Sequence, residues 1–324
     1  MADATAGPPV TLAVLTYMQE SFVAEAVTSA LAQDYQNIHF IFSDDSSTDS
    51  SIEKMKQACR GSSRAGRALI RSTRRNLGFA EHINDVMAMA QTPFVMICAG
   101  DDVMEPDKVS KLLAPMLADD RVVATHSAVT EMTPSGELLQ IRQCSFGERL
   151  NDFRFVVENA ASVVIQSHAC RREVFTRFPP FEATLTNEGI PITAREALLG
   201  NIAYVPEPLT RYRLGGTSTQ IDVPTRVRQL SEPIKITRWG LSGLRQIQRD
   251  LDATSWSVPS EVRSTLDRRI DFYASLQRIN EESWALVSLL NVLGRHRGKV
   301  LALRAFVRRN LPSWLYGLAM KLRD

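Results

Sequence analysis

The 324-residue chain is 44% hydrophobic and 23% charged, an ordinary globular composition, and none of its apolar runs approaches the roughly 20 residues needed to span a bilayer. Its net charge of +2 conceals two unlike parts: residues 1–224 carry 20 Lys and Arg against 27 Asp and Glu, whereas residues 225–324 carry 18 against 9. Four widely spaced cysteines (Cys59, Cys98, Cys144, Cys170) without a CxxC pair argue against a disulfide framework or a zinc site. They favour a reducing compartment. The opening Met1-Ala2-Asp3-Ala4-Thr5 lacks the basic segment of a signal peptide, so a cytoplasmic location is expected.

In chain order, Val10 to Tyr17 reads as a first strand and Ser21 to Gln33 as a helix with Phe22, Ala26, Ala30 and Leu31 on one face. A second strand, 38–43, runs into Asp44-Asp45-Ser46-Ser47-Thr48-Asp49, whose side-chain oxygens suit the entry to a helix ending near Cys59. A short strand over 68–71, a helix over 80–90 and a strand over 94–98 complete a β-α-β-α-β alternation, which predicts a largely parallel sheet. Pro106 is expected to open a helix to about Leu117. Residues 121–145 read as strands joined by the turn Thr133-Pro134-Ser135-Gly136, and after Pro224 long helical patterns take over. The expected organisation is a domain over 1–220 and a helical region over 221–324.

Two acidic pairs carry the chemistry. Asp101-Asp102 directly follows the apolar run Phe94-Val95-Met96-Ile97-Cys98, and Asp44-Asp45 follows Ile38-His39-Phe40-Ile41-Phe42-Ser43. Paired aspartates at exposed strand ends hold a hard divalent cation whose remaining ligands are phosphate oxygens, and neighbouring strand ends form a nucleotide–metal site. Both pairs also admit a plainer reading as turn or helix-cap residues. His82 and His168 read as structural, with no Ser or Cys nucleophile at suitable spacing.

Several segments arrive in an order that resembles the inverting family 2 glycosyltransferases of the GT-A fold. They are Val14-Leu15-Thr16-Tyr17, Ser29-Ala30-Leu31-Ala32-Gln33, Phe42 to Asp49, Asn76-Leu77-Gly78-Phe79-Ala80 with Asn84, Ala99 to Lys108, Asn187-Glu188 with Arg195, and Pro206 to Arg213. The resemblance covers roughly residues 10–220. It implies a mixed, mostly parallel central sheet flanked by helices, with the C-terminal helices as an extension. It also implies transfer of a sugar from a nucleoside diphosphate to an acceptor hydroxyl with inversion, assisted by Mg²⁺ or Mn²⁺. By resemblance Asp102 ligates the metal and Asp101 lies near the ribose or donor sugar. One of Asp44 and Asp45 meets the nucleobase, the Asn76–Gly78 loop flanks it, and Thr16 contacts the donor. The implied acceptor is a growing polysaccharide, a lipid-linked oligosaccharide or another cell-surface glycan.

The chain departs from the family pattern at three places. Met18 stands where Asn is usual; Gly189 stands where the catalytic Asp is expected, six residues before Arg195; and Gly215 stands where related chains often have His. Glycine takes no proton. Either Glu188 assumes the base role, with Arg195 as a further catalytic residue, or the chain is a weakened or inactive sugar-nucleotide-binding scaffold.

The tail from Gly294 holds eight Lys and Arg and one acidic residue, with Val300, Leu303, Val307, Leu311, Trp314 and Leu318 at helical steps. That pattern suits the surface of an anionic membrane, or a helix packed on the catalytic domain. No nucleic-acid-reading module accompanies the basic residues.

Overall fold

A computed structural model describes residues 7–215 and 225–281, with residues 225–234 given as helix backbone alone. The first half alternates strand and helix: β1 (Val10–Thr16), α1 (Val23–Leu31), β2 (Ile38–Asp44), α2 (Ser51–Arg60), β3 (Ala68–Ser72), α3 (Phe79–Met89) and β4 (Phe94–Ala99). Next come the two-residue strand β5 (Val103–Met104), α4 (Lys108–Ala118), β6 (Val122–Met132), β7 (Leu138–Arg142) and α5 (Phe153–Asn159). The remaining elements are β8 (His168–Arg171), α6 (Glu173–Thr176), α7 (Gly189–Leu199), β9 (Asn201–Arg213), α8 (Thr225–Ala253) and α9 (Ser260–Glu281).

All nine strands join one sheet in the order β3-β2-β1-β4-β8-β6-β9-β5, with β7 paired to β6. β3, β2, β1 and β4 are parallel, β8 is antiparallel to both β4 and β6, and β9 runs parallel to β6 but antiparallel to β5. The chain therefore winds outward from β1 to β3, then crosses back to place β4 on β1's other side. Such a reversal opens a crevice beyond the carboxyl ends of the two strands, where α/β folds bind ligands.

β1 is buried along its whole length, as expected for a central parallel strand covered on both faces. Its Leu12 and Val14 pack with α1, α2 and α4 through Ala26, Val27, Met55, Leu112 and Leu113. Its Ala13 and Leu15 face α3 and a larger cluster that also takes in Ile190 and Ile192 of α7, Leu244 and Ile247 of α8, and Leu276 and Ile279 of α9. α8 and α9 thus bury apolar residues in the same core cluster as β1 and α3.

Two local expectations need correction. α4 begins at Lys108, not Pro106, because Asp107 occupies the flanking position and Glu105 and Pro106 form the turn into it. The strand β5 was absent from the expected elements: two residues are too few to show a period, and pairing with β9 creates the strand. The basic tail from Gly294, with its membrane reading, lies outside the described residues.

Candidate active site

Register places the acidic pairs together. Thr16 is the β-ladder partner of Asp44, and Leu15 that of Ala99, so Thr16, Asp44-Asp45 and Gly100-Asp101-Asp102 end three adjacent strands at one edge. The Asp45 N–H donates to Thr16 O at 2.8 Å and the Gly100 N–H to Leu15 O at 2.8 Å, which pins both turns to the end of β1. Gly100 permits this closeness: a Cβ there would lie 2.4 Å from Thr16 Oγ1 and 2.7 Å from Gln19 Oε1. Thr16 Oγ1 itself is buried without a hydrogen-bond partner among the described residues, a polar atom left over at the strand end.

The expectation that these aspartates stand at exposed strand ends does not hold. Asp44 is 0% exposed, Asp45 3%, Asp101 5% and Asp102 1%. The Asp44 carboxylate accepts from Ser47 N at 2.9 Å, Ser72 Oγ at 2.8 Å and Ser47 Oγ. Asp45 accepts from Thr73 Oγ1 at 3.0 Å and from the Leu77 and Gly78 N–H groups, each at 2.9 Å. Asn76 Oδ1 accepts from the same Gly78 N–H at 2.9 Å, and Gly78, with φ +79°, precedes α3. One carboxylate therefore shapes the 44–47 turn and the other the 73–78 loop. Met18 has φ +52° and donates its N–H to Ser47 Oγ at 2.8 Å; the left-handed backbone is one that Asn adopts with less strain than Met.

Asp101 and Asp102 are covered by the end of β9. Asp102 Oδ1 accepts from the Arg213 N–H at 2.8 Å, and Arg213 Nε donates to Asp101 O at 2.8 Å. The same guanidinium reaches Pro134 O at 2.9 Å and Glu25 Oε2 at 2.7 Å, and stacks 4.6 Å from the Phe22 ring centroid. Arg211 grips Glu105 with two hydrogen bonds of 2.7 and 3.2 Å, fixing β5 against β9. Burial, then the neighbouring Asp101 charge, pushes the Asp102 carboxyl well above the usual range, with Lys108 and Arg213 only partly offsetting this. Lys108 is fully buried and donates to Gln166 O, and burial holds its ammonium below the ordinary range.

A divalent cation fits this donor set. Asp102 Oδ2 accepts no hydrogen bond among the described residues, and an added cation relieves two crowded carboxylates. The same test separates a second group, His168, Cys170 and Glu196, whose ligand atoms lie within 4.8 Å of one another. Thiol, imidazole and carboxylate form a softer set than Mg²⁺ or Mn²⁺ favours. Cys170 pairs with Val95, four residues before the end of β4 and so about 13 Å from the nucleotide edge. His168 Nε2 contacts Glu196 Oε1 directly, making the two a buried polar pair that ties β8 to α7. His82 is likewise internal, 2.8 Å from Ser43 Oγ.

Glu188 and Arg195 part company. Glu188 sits immediately before α7, 9% exposed, and burial raises its carboxyl to about 7. It shares surroundings with the metal candidate through Tyr212, whose phenol is pushed up to about 12 by burial and by the charges of Asp102, Asp101 and Glu188, against the opposing effect of Arg142. The Arg142 guanidinium lies 5.1 Å from the Tyr212 ring centroid. Arg195, by contrast, is 1% exposed and points to the helical region: Nε to Asp250 Oδ2 at 2.6 Å, Nη2 to Asp250 Oδ1 at 2.8 Å and to Pro179 O at 2.8 Å. Phe178 and Phe181 cover it at 5.1 and 4.4 Å. The structure thus does not bring it beside Glu188's carboxylate as a second site residue. A Cβ on Gly189 would sit 3.0 Å from both Ser162 Cβ and Val163 O, so the first turn of α7 is pressed against 162–163 with little room for a side chain. Gly215, with φ +84°, ends the described part of the segment after β9.

Tyr212, Arg213 and Lys108 lie within segments that match the family pattern, yet spacing alone assigns them no task. The placement of Tyr212 and Arg213 depends on β9 crossing to Asp101-Asp102 from more than 100 residues away.

Comparisons agree with this geometry. The family model described as "Glycosyl transferase family 2" matches residues 11–177, just over half of the chain. An uncharacterized glycosyltransferase of Haemophilus influenzae is 21% identical over 225 residues, covering 65% of this chain and 67% of the relative. Among solved structures, the mannosyltransferase PcManGT from Pyrobaculum calidifontis, in complex with GDP-Man and Mn²⁺, superposes with a TM-score of 0.58 at 16% identity, covering 99% of this chain and 83% of that one. Residues 1–349 of S. aureus TarS in complex with UDP-GlcNAc give 0.57 at 13% identity, covering 94% and 80%. The fold is that of GT-A glycosyltransferases. No helix among the described residues is long and apolar enough to cross a membrane.

Proposed function

The chain belongs to glycosyl transferase family 2, and from that premise we propose that it is an inverting hexosyltransferase. It takes a sugar from a nucleoside diphosphate donor to an acceptor hydroxyl in polysaccharide or lipid-linked glycan synthesis at the cell envelope. The observation that carries the reading is the convergence of Thr16, Asp44-Asp45 and Asp101-Asp102 at one edge of the switch between β1 and β4. Donors of this class are the ligands of the two similar structures, GDP-Man in one and UDP-GlcNAc in the other.

Asp102 would hold the divalent cation, Mg²⁺ or Mn²⁺, with Asp101 beside the ribose or donor sugar. Bound there, the cation neutralises charge on the departing diphosphate. Asp45 and Asn76 order the 73–78 loop, which with Asp44 walls the nucleobase, and the unpaired Thr16 Oγ1 is placed for a donor contact. Glu188 is the base: its carboxylate takes the acceptor hydroxyl's proton as that oxygen bonds to the anomeric carbon and the bond to the diphosphate oxygen breaks. A carboxyl raised to about 7 is well matched to this duty near neutral pH. One displacement inverts the anomeric centre. Arg195 holds α7, and so Glu188, against the helical region. Domain limits of 1–220 and 221–324, a cytoplasmic-face location and a membrane contact through 294–324 belong to the same proposal.

Gly189 favours one competing reading, a donor-binding scaffold with little or no transfer. The deciding experiment is transfer or donor hydrolysis by wild type and Glu188→Gln with Mn²⁺ across a panel of nucleoside diphosphate sugars. Turnover that the substitution removes supports the enzyme; nucleotide binding without any turnover supports the scaffold.

A further inference from the structure

The face of β8 that meets α7 carries a second group of ligating side chains, which the donor edge does not use. His168 and Cys170 alternate with Ala169 along the strand, so they share one face of the sheet. Cys170 lies in the core cluster that includes α7, and Ala169 in the cluster on the other side. Glu196 of α7 completes the group, its Oε1 in contact with His168 Nε2. The three ligand atoms lie within 4.8 Å of one another, and all three residues are buried. Because Glu196 directly follows Arg195, adjacent residues tie α7 to two different elements, β8 through His168 and α8 through Asp250.

A hydrogen-bonded pair of His168 and Glu196 leaves two donor atoms unused. Glu196 is 0% exposed, yet its Oε2 is buried without a hydrogen-bond partner among the described residues. The Cys170 thiol is free and makes no hydrogen bond among the described residues. An orphaned buried acceptor costs about 1–3 kcal/mol, and more when charged. A cation among these residues uses both leftovers: imidazole nitrogen, thiolate sulfur and the two carboxylate oxygens make a four-coordinate shell without water. Thiolate and carboxylate also supply two negative charges, which neutralise a divalent ion where any net charge is expensive. Mixed sulfur, nitrogen and oxygen donors in a four-coordinate shell suit Zn²⁺, not an ion that seeks six oxygens. A CxxC pair, whose absence argues against zinc in the sequence, is not required here. His-x-Cys on a strand sets two ligands on one face, and the carboxylate arrives 28 residues after the histidine.

We infer that His168, Cys170 and Glu196 form a Zn²⁺ site that fastens β8 to α7. As the ion binds, the thiol proton leaves to solvent, and the direct His168–Glu196 contact gives way to a bond from each side chain to the metal. The approach is from a cavity of about 170 Å³, whose wall includes Ser167, adjacent to His168, and His126, its partner across the β6–β8 ladder. The role is structural, because burial keeps substrates from the ion. The inference does not rest on the transferase reading.

Co²⁺ titration of the full chain, after a chelator has stripped it of metal, tests this. A cobalt–thiolate bond gives a charge-transfer band in the near ultraviolet that carboxylate ligands at the donor edge do not give. Wild type is expected to develop the band, Zn²⁺ to abolish it by displacing cobalt, and Zn²⁺ to raise the melting temperature by binding the folded state. Cys170→Ser should lose the band. Glu196→Gln, which keeps the side chain's shape, should weaken Zn²⁺ binding at least about tenfold. Asp102→Asn at the donor edge and Cys144→Ser on the cavity wall should keep both the band and the thermal shift. No band in wild type, a band that survives Cys170→Ser or vanishes in Cys144→Ser, or an unchanged Zn²⁺ affinity in Glu196→Gln overturns the inference. Should Cys170→Ser fail to fold, wild type, Cys144→Ser and Glu196→Gln decide the matter without it. Absence of nucleotide binding would count against the donor edge alone and leave this site standing.

Discussion

The proposed donor edge and the wall that carries Glu188, the proposed base, are built in opposite ways. The donor edge is assembled from contiguous motifs at the ends of β1, β2 and β4, each fixed by backbone hydrogen bonds to its neighbour. The wall around Glu188 depends on contacts between segments remote in sequence: 162–163, Tyr212 and Arg142. Substitutions are therefore tolerated differently. Moving either acidic pair would break the strand-end hydrogen bonds around it, whereas Gly189 lets the first turn of α7 lie against 162–163, where a Cβ would be 3.0 Å from its neighbours.

The contrast is broken most severely at Asp102. If Asp102 holds the cation as proposed, Asp102→Asn forfeits several kcal/mol of stabilisation of the leaving group and should lower turnover about 10³-fold or more, with stability retained or raised because a buried carboxyl crowded by Asp101 is gone. Glu188→Gln should lower kcat about 10²-fold or more while nucleotide affinity stays at the wild-type value, separating wall from edge. Arg195→Ala is expected to act on folding instead: breaking a buried ion pair costs about 3–5 kcal/mol, read by denaturant unfolding, and the loss should be matched by Asp250→Ala, not summed with it. Equal stability of Arg195→Ala and wild type would contradict this structural role of the Arg195–Asp250 pair.

The pH dependence sharpens the same comparison. As the proposed base, Glu188 would act as its carboxylate, so kcat/KM should rise with pH through about 7. Its contribution to stability has the opposite sign. With a folded value raised from 4.5 to about 7, the native state binds the extra proton in that window, and the contribution declines as pH rises across it. Glu188→Gln should flatten both. The smallest expected effect is from Gly189→Asp: the new Cβ has neighbours at 3.0 Å, so the family's usual residue should cost about 1–3 kcal/mol by crowding and fail to raise turnover.

What the amino-acid sequence disclosed follows this division. The β-α-β alternation, the acidic pairs, the 133–136 turn and, as far as Glu281, the helices after Pro224 are local patterns that appear in the structure where expected to within a few residues. Burial of Asp101 and Asp102 was not legible, because it is imposed by Arg213 and its neighbours on β9. Arg195 kept the family's spacing, yet spacing along α7 does not specify which face meets α8, and Asp250, 55 residues away, takes two hydrogen bonds along one edge of its guanidinium.

Calorimetric titration of UDP and GDP into wild type and Asp102→Asn, each with and without Mn²⁺, tests the cation-bridged donor edge most directly. The account predicts that one of the two nucleotides binds wild type, that Mn²⁺ strengthens this binding at least about tenfold, and that Asp102→Asn removes the metal's contribution. Binding of equal strength with and without Mn²⁺, or in both proteins, would contradict it.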